Sequence, residues 1–542
     1  MGAKKISQET ALVSAAGARA LDAEASAQWG LEPFALVEAA GRACADVFVN
    51  NAATSEIASS ARGFVALAGS GNNAADALVM LRALILGGAA EPGDCAVFAS
   101  RLPEDGERTP LSQAALALRR LGVSVKAWDG PAAFLAQLLK NAPSTGKRGI
   151  VIDGIAGTGL DGPLRGAALE MAEAANALGR EPGGPAVVSI DVPSGGFDGW
   201  RPGMPAVSAD CTLAIEPRKL CLYAPALRPR AGAILPVGGI FPAELVGKYR
   251  EAELVSWESA ATRISPVPRA VHKYGRGLVE IRAGSPGFAG AARLAALGSQ
   301  AAGAGLVRLV VDPSVYAIVA GSCSGVMVAS SGADGDSAEG RFSPNAALLG
   351  PGWGRGGDRA SLLESFLLRE KQGLPIVLDA DAIALAKDAT FRGNAILTPH
   401  VGEFAACAGI PRDEILADPV RAIRGFAEEK KATVLLKSHV MHIAAPDGRI
   451  GVIDGMNPAL AAGGSGDVLA GFCAAIAARS AAAKNFNDSN YQFDGYACAC
   501  AAAALLVRAA ESEGVAGCFV DPAELARAAA AIAGGAWIRR EL

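Results

Sequence analysis

The chain has 542 residues, with 50 Lys and Arg against 54 Asp and Glu and a formal net charge of -4. At ~100–200 residues per domain it is too long for one ordinary core. Hydrophobic residues at 51% against 19% charged exclude a disordered chain, and the acidic balance argues against a nucleic-acid partner, which calls for a basic face.

No polybasic run suits a membrane surface, and the longest apolar stretches, such as Ala499–Val507, fall short of the ~20 residues of a spanning helix. The opening MGAKKISQET lacks the apolar region of a secretory signal; it fits the loose myristoylation pattern, a weak match. The 66 glycines show no collagen period and suit an α/β protein with tight strand-to-helix turns. The 10 cysteines include no CxxC pair and read as buried free thiols, which implies a reducing, cytoplasmic setting. His272, His400, His439 and His442 have no metal-ligand spacing.

Residues 11–50 read as helix, with apolar positions recurring at threes and fours. GFVALAGS (63–70) is a strand ending in Gly, and GNNAADALVMLRALILGG runs from a loop into a helix. CAVFAS (95–100) is a strand, Gln113–Leu121 a helix, VSVKAW (123–128) a strand, GIVIDGIAGTGL (149–160) a strand with a Gly loop, and VVSIDVPSG (187–195) a strand with a turn. Such alternation predicts a mostly parallel sheet covered on both faces. Gly232–Arg269 loses periodicity, so the domain boundary is expected near residue 250. The βα pattern then restarts with LVEIRAGS and runs through LVRLVVDP, LLGPGWG, PIVLDADA, AILTPH and TVLLKSHVMHIAAP. An Ala-rich helical tail is expected from Gly464 to Leu542, interrupted by a polar surface loop at Asn485–Asp494.

The sharpest motif is Asn457-Pro-Ala-Leu-Ala-Ala-Gly-Gly-Ser-Gly-Asp467-Val-Leu-Ala-Gly471. A Gly-rich turn entering a helix aims backbone N–H groups and the helix dipole at one point, which makes an anion site. Asp467 would repel that anion unless it takes a proton from a hydroxyl attacking a phosphate. A helix cap alone would not call for Gly463, Gly464 and Gly466 together.

GGSGDVLAG resembles the phosphate-binding signature of ribokinase-like kinases. VHKYG (271–275), GAA (290–292), LGPGWG (349–354), VLDADA (377–382) and LTPHVGE (397–403) follow in the order of the ADP-dependent NAD(P)H-hydrate dehydratases. The resemblance spans about residues 265–540. It implies phosphorylation of the ring hydroxyl of the S-hydrate of NADH or NADPH, then loss of phosphate. Asp467 would be the base, and Ala291, Gly352, His400 and Asp467 would line the hydrate. The resemblance assigns adenine nucleotide contacts (ADP, or ATP, with Mg2+) to Lys437, Ser438, His439, Val440, Met441, Gly464, Ser465 and Gly466. Asp379 and Asp381 lie at a strand end and read equally as ligands or as turn residues. The family's Lys-Gly-x-x-Thr segment is Lys437-Ser-His-Val-Met441 here, which puts nucleotide affinity and donor choice in question.

In the first half, GSGNNAADAL (69–78) is generic alone. With VIDGIAGTGLDGP (151–163), IDVPSG (190–195), LVEAAG (36–41) and AVSAD (206–210) it resembles the NAD(P)H-hydrate epimerase domain over about residues 10–240. That implies Asn72, Asn73, Asp76, Gly157, Thr158, Gly159, Leu160 and Asp191 around the substrate, with Asp191 as acid/base. It also implies a K+ ion on the oxygens of Asn73, Asp153 and Ser194. Ala74, Ala75 and Ala77 replace family glycines; at left-handed angles each would cost roughly 1–2 kcal/mol, and at ordinary angles their methyl groups would crowd the hydrate's phosphates, so a weakened or absent epimerase is expected. No lysine stands beside Leu160 and Asp161, where the animal-type enzymes carry a catalytic one.

The expected architecture is a Rossmann-like three-layer domain over residues 1–245, a linker over 246–265, and a ribokinase-like three-layer domain over 266–542. The partners expected are small molecules, with no nucleic acid and no membrane, in a homo-oligomer. Two alternatives stand beside this. One is a small-molecule kinase of the hydroxymethylpyrimidine or hydroxyethylthiazole type, which leaves LTPHVGE unexplained. The other is a scaffold whose N-terminal domain binds nucleotide without catalysis.

Overall fold

A computed structural model describes residues 10–103, 107–141, 148–332, 343–354, 358–487 and 493–538. The chain divides into two compact units, Met1–Glu253 with Leu416–Asp418, and Leu254–Ile415 with Pro419–Leu542.

The first unit contains β1 (Ala11–Val13), β2 (Ala61–Ala68), β3 (Cys95–Ala99), β4 (Ser124–Ala127), β5 (Arg148–Gly154), β6 (Ala186–Ile190), β7 (Cys211–Ile215), β8 (Arg218–Lys219) and β9 (Ala233–Val237). Seven of these form a sheet in the order β4-β3-β2-β5-β6-β7-β9, with every pairing parallel. Strand order reverses between β2 and β5, which opens a crevice at their carboxyl ends. Side chains alternate across β2: Phe64, Ala66 and Ala68 join the core on one face, Val65 and Leu67 the core on the other. Both faces are therefore dry, as the near-continuous apolar strands require.

The expected single helix over 11–50 is instead strand β1 followed by helices Ala15–Trp29 and Pro33–Asn50. Gly30 ends the first at φ 67, and Pro33 opens the second, where its missing N–H costs nothing. The supposedly irregular Gly232–Arg269 carries β9, helix Ala243–Tyr249, the short strand β10 (Ala252–Leu254) and helix Trp257–Ala261. These elements are too short for periodicity to register.

The second unit contains β11 (Leu278–Arg282), β12 (Leu306–Val311), β13 (Met327–Ser330), β14 (Ala346–Leu349), β15 (Ile376–Leu378), β16 (Ala395–Leu397), β17 (Thr433–Leu436), β18 (Val440–Ala444) and β19 (Ile450–Asp454). Its order is β13-β12-β11-β14-β15-β16-β17-β18-β19, parallel through β17 and antiparallel beyond. A second switch point lies between β11 and β14. The Ala-rich tail forms helices Ser465–Asn487, Gly495–Ala510 and Pro522–Trp537. Residues 488–492 of the expected polar loop lie outside the described residues, as does the opening nonapeptide.

Gly495–Ala510 is buried at all but one of its 16 positions, which suits a helix that is apolar all round. Ser465–Ala483 is long and apolar enough to cross a membrane, yet 72% of it is buried inside this fold, and it serves as a core helix.

Candidate active sites

In the first unit the loops after β2 and β5 meet at the switch point and line a cavity of about 610 Å3. All eight residues expected around the substrate there line it: Asn72, Asn73, Asp76, Gly157, Thr158, Gly159, Leu160 and Asp191. Asp191 follows β6 at φ 66, a left-handed angle that a non-glycine residue adopts at a cost. Its backbone N–H donates to Leu213 O at 2.9 Å, which helps hold that angle.

The sequence reading missed the partner of Asp191. Lys219, in β8, places Nζ 2.6 Å from Asp191 Oδ1 and 3.0 Å from Ile215 O, inside the same cavity. The signal was available: Lys219 lies just past the carboxyl end of β7, where α/β sheets place ligand contacts. Asp22 also lines the cavity, and burial pushes its carboxyl up to about 6, against the pull of Lys219. Asp76 is raised well above the carboxylate range by burial and then by Asp191, and its Oδ1 is buried without a partner. Burial likewise raises Asp191, although Lys219 opposes this. Three buried carboxyls thus share one ammonium at the wall of this pocket, and they cannot all be ionised together. The arrangement stores exchangeable protons beside the substrate space. Arg19 completes the rim by donating to Thr158 O.

Asn73, Asp153 and Ser194 converge on one stretch of backbone. Asn73 Nδ2 donates to Ala156 O at 3.1 Å, and Ser194 Oγ accepts from Ala156 N at 2.8 Å. Asp153 is fully buried; it accepts from Ser189 Oγ at 2.7 Å and Ser194 N at 2.9 Å. Burial raises its carboxyl, and only hydrogen bonds oppose that shift. Asn73 Oδ1 is buried with no partner. An unpartnered carbonyl oxygen beside a buried carboxyl without a countercharge fits a hard monovalent cation.

The strain expected at Ala74, Ala75 and Ala77 does not arise. All three lie inside helix Asn72–Leu86, and none is among the residues with positive φ. They are at most 1% exposed, face the core, and do not line the cavity. Gly154 leaves the room that Ala77 needs, since a Cβ there would come within 2.6 Å of Ala77 Cβ. The alanines therefore favour the helix by up to about 1 kcal/mol each over glycine, and the premise for a weakened epimerase falls.

In the second unit the chemistry-bearing residues follow successive strands. Asp379 follows β15, Thr398 and His400 follow β16, and Lys437 follows β17. Lys437 Nζ lies 2.6 Å from Asp379 Oδ1, which also accepts from Thr398 Oγ1 at 2.8 Å. Burial pulls the Lys437 ammonium down, but Asp379 and then Glu403 and Asp467 raise it on balance. Asp467 stands in the first turn of helix Ser465–Asn487; burial and then Asp379 push its carboxyl up to about 6, with Lys437 opposing. That is a suitable base near neutral pH. Between Asp379 and Asp381, Ala380 holds φ 47, a second strained residue at a strand end. Asp381 takes a turn role by accepting Gly354 N at 2.9 Å.

The Gly464–Gly466 turn opens as expected, with Gly464 at φ 103 and no heavy atom within 4 Å of a Cβ built on Gly463. At Gly466 a Cβ would meet only Lys437, with Nζ 3.4 Å away. Ser465 N–H is already given to Ala462 O, so a phosphate here would rely on its neighbours. Gly352, at φ 56, packs where a Cβ would come within 2.9 Å of Ala291 Cβ, so these two residues are together at the second switch point. His400 caps helix Val401–Ala408: its Nδ1 accepts from Gly402 N at 2.9 Å and Glu403 N at 3.3 Å. The ring remains largely exposed on its Nε2 side, 3.4 Å from Glu403. Lys437, Ser438 and His439 form the β17–β18 turn, whereas Val440 and Met441 are buried in strand β18. Any nucleotide contact by the last two is through backbone.

Two crevices at switch points, one built for proton exchange and one for phosphoryl transfer, define an α/β enzyme with two reaction centres. Residues 279–527 match the NAD(P)H-hydrate dehydratase family, and residues 33–221 match the YjeF-related protein N-terminus family. A bifunctional NAD(P)H-hydrate repair enzyme of Salinibacter ruber is 31% identical over 502 residues, which covers 86% of this chain and 88% of that one. The enzyme of the same name from Moorella thermoacetica is 31% identical over 493 residues, with 86% and 88% covered. Among solved structures, an ADP/ATP-dependent NAD(P)H-hydrate dehydratase from Bacillus subtilis aligns with 24% identity and a TM-score of 0.43, over 51% of this chain and 97% of that one. The chain belongs to the family of bifunctional NAD(P)H-hydrate repair enzymes. The kinase alternative gains no support from these relatives.

Proposed function

We propose that the second unit dehydrates the S-hydrate of NADH or NADPH at the expense of ADP or ATP, and that the first unit interconverts the R- and S-hydrates. The observation that carries this is the pairing, in one chain of this family, of the Asp191–Lys219 pocket with the Asp467 phosphate loop.

In the second unit Asp467 accepts the proton of the ring hydroxyl, and the freed oxygen attacks the terminal phosphorus of the nucleotide. With ADP, AMP leaves; the phosphorylated ring then loses phosphate and a ring proton, which restores the dihydronicotinamide. Lys437, held by Asp379, faces the transferred phosphoryl group, and the N–H groups around Gly466 stabilise its charge. Mg2+ would neutralise the polyphosphate. Polyphosphate oxygens and water would supply most of its ligands, as is usual for Mg2+ at nucleotide sites. Ala291, Gly352 and His400 would border the hydrate, and Ser438 and His439 the adenine nucleotide.

In the first unit Asp191 is the group that exchanges a proton with the hydrated ring. Lys219 keeps it oriented and biases its charge, and Asp22 and Asp76 hold further protons nearby. K+ would be held by Asn73, Asp153 and Ser194, fixing the loop around Ala156 and offering positive charge to the substrate's phosphates. A homo-oligomer and a cytoplasmic setting remain part of this reading; ten free cysteines, seven of them buried, suit a reducing compartment.

Separate assays on purified R- and S-hydrate test the assignment. Asp191→Asn should abolish interconversion and leave S-hydrate dehydration intact, and Asp467→Asn should do the reverse. A normal interconversion rate in Asp191→Asn would sink the first assignment, and normal dehydration in Asp467→Asn the second.

A further inference from the structure

The family match to the first unit begins at residue 33, yet one wall of its cavity comes from the segment before it. Helix Ala15–Trp29 lays a face on the cavity: Ala18, Arg19, Asp22, Ala23 and Ser26 line it, at the threes and fours of a single helical stripe. Proton exchange gives Asp22 a role on this face and leaves Arg19 without one.

Arg19 is the accessible cation of this cavity. Among the described residues that line it, only Arg19 and Lys219 carry positive charge. Lys219 is buried and held by Asp191 Oδ1 and Ile215 O, so its ammonium is committed to the reacting end. The Arg19 side chain keeps 43% of its surface exposed. Nη1 donates to Thr158 O, and Nη2 stands 3.6 Å from Asp161, whose own side chain is 83% exposed. Such a solvated pair is weak and gives way to a more highly charged anion. A guanidinium has five N–H donors in a fixed fork, so most of those on Arg19 stay open to a ligand. The position also suits an anion. Gly157, beside Thr158, packs so closely on helix Asn72–Leu86 that a Cβ there would come within 3.0 Å of Asn73 Cβ. That helix begins at Gly71, which has no side chain to cap it, and Gly71, Asn72 and Asn73 line the cavity. Its first N–H groups therefore lie across one loop from Arg19. Deeper in, Asp22, Asp76 and Asp191 form a poor surface for phosphates.

We propose that Arg19 grips the pyrophosphate of the hydrated dinucleotide at the rim of this cavity, a role that rests on the reading of the first unit as the site of hydrate interconversion. The fork of an arginine matches phosphate oxygens, and a pyrophosphate outcompetes the lone carboxylate of Asp161. The choice of phosphate follows from position. Asp22, three residues on and about 4.5 Å along the helix, feels the charges of Lys219 and Asp191. Arg19 is therefore near the reacting end, within reach of the phosphate that one ribose separates from the ring. The 2′-phosphate of NADPH lies beyond it, on the far adenosine. Both NADH and NADPH hydrates carry the pyrophosphate, so Arg19 serves both.

Steady-state interconversion of the purified R-hydrates of NADH and NADPH by the full-length protein tests the role. Arg19→Gln should raise KM about tenfold for both, the loss of one partly screened charge-assisted contact, and hold kcat within about twofold. The wild-type KM should climb with salt, and that of the variant should climb less. Arg19→Lys, which keeps the charge and loses the fork, should fall between them. Asp161→Asn removes the competing carboxylate from an exposed position; it should lower KM for both hydrates, and it decides the matter if Arg19→Gln misfolds. An unchanged KM in Arg19→Gln, or a loss in kcat alone, overturns the assignment and leaves the arginine as a pin on the Thr158 loop. A loss confined to NADPH hydrate moves the contact to the 2′-phosphate and overturns it as well. A wild type that interconverts neither hydrate removes the reading of the first unit and this role with it, an outcome distinct from any change confined to the variants.

Discussion

Asp467→Asn should stabilise the protein while stopping dehydration, and the two effects should follow the same titration. The carboxyl is pushed from 3.8 to about 6 in the folded chain, chiefly by burial and then by Asp379. At about 1.4 kcal/mol per unit, ionised Asp467 costs the fold up to ~3 kcal/mol. The group is only partly buried, so solvent screening reduces this to about 1–2 kcal/mol. Because the folded value is the higher one, the cost is absent below pH ~4, grows as the pH rises, and is complete above pH ~6. Asparagine keeps the shape and removes the charge. Chemical denaturation of wild type and variant at about pH 4.5 and pH 8 reads the difference: about a third of the full advantage for the variant at the lower pH, and all of it at the higher. Over the same range wild-type turnover should fall as the pH drops through about 6, because the base becomes protonated. In the variant it should be lower by about 10²–10⁴-fold above pH ~6, and the fall through pH ~6 should be absent. A variant less stable than wild type at pH 8, or one that retains turnover, refutes the account of Asp467 as a strained base.

Three further predictions concern the first unit. Lys219→Met should stop hydrate interconversion and cost about 3–5 kcal/mol, because it leaves Asp191 buried without its ammonium. Adding Asp191→Asn should recover much of that stability but no activity, as thermal melts and R-hydrate assays would register. Ala77→Gly should cost about 1 kcal/mol or more of stability and leave interconversion unchanged, since Ala77 is a buried helical residue outside the cavity; faster interconversion would revive the crowding argument. Replacing K+ by a large organic cation should lower the thermal midpoint of the wild type and slow interconversion, and Asp153→Asn should remove the K+ dependence of both.

Much of this was legible in the sequence, because the signals were local. Strands β2 to β6 stand where short apolar runs end in Gly, Ser or Asp, and the loops after β2 and β5 deliver their residues to one cavity. What stayed hidden depended on contacts remote in sequence. Lys219 meets Asp191 across 28 residues and Asp22 across nearly two hundred, and no spacing rule reports such pairs. The replaced glycines misled for a related reason. Identity alone says nothing about φ, and the structure puts Ala74, Ala75 and Ala77 at helical angles in the core. His400 shows the reverse case: the motif placed it correctly at a strand end, yet its Nδ1 also caps a helix, a role that no motif announces.

The most direct measurement follows dihydronicotinamide absorbance from an R/S mixture of NADPH hydrate with ADP, Mg2+ and K+. The account predicts rapid recovery of the S fraction, then continued recovery through the R fraction faster than its spontaneous conversion, with the second phase absent in Asp191→Asn. Recovery that stops when the S form is spent would contradict the working Asp191–Lys219 centre, and no recovery with either ADP or ATP would contradict the phosphoryl-transfer role of Asp467.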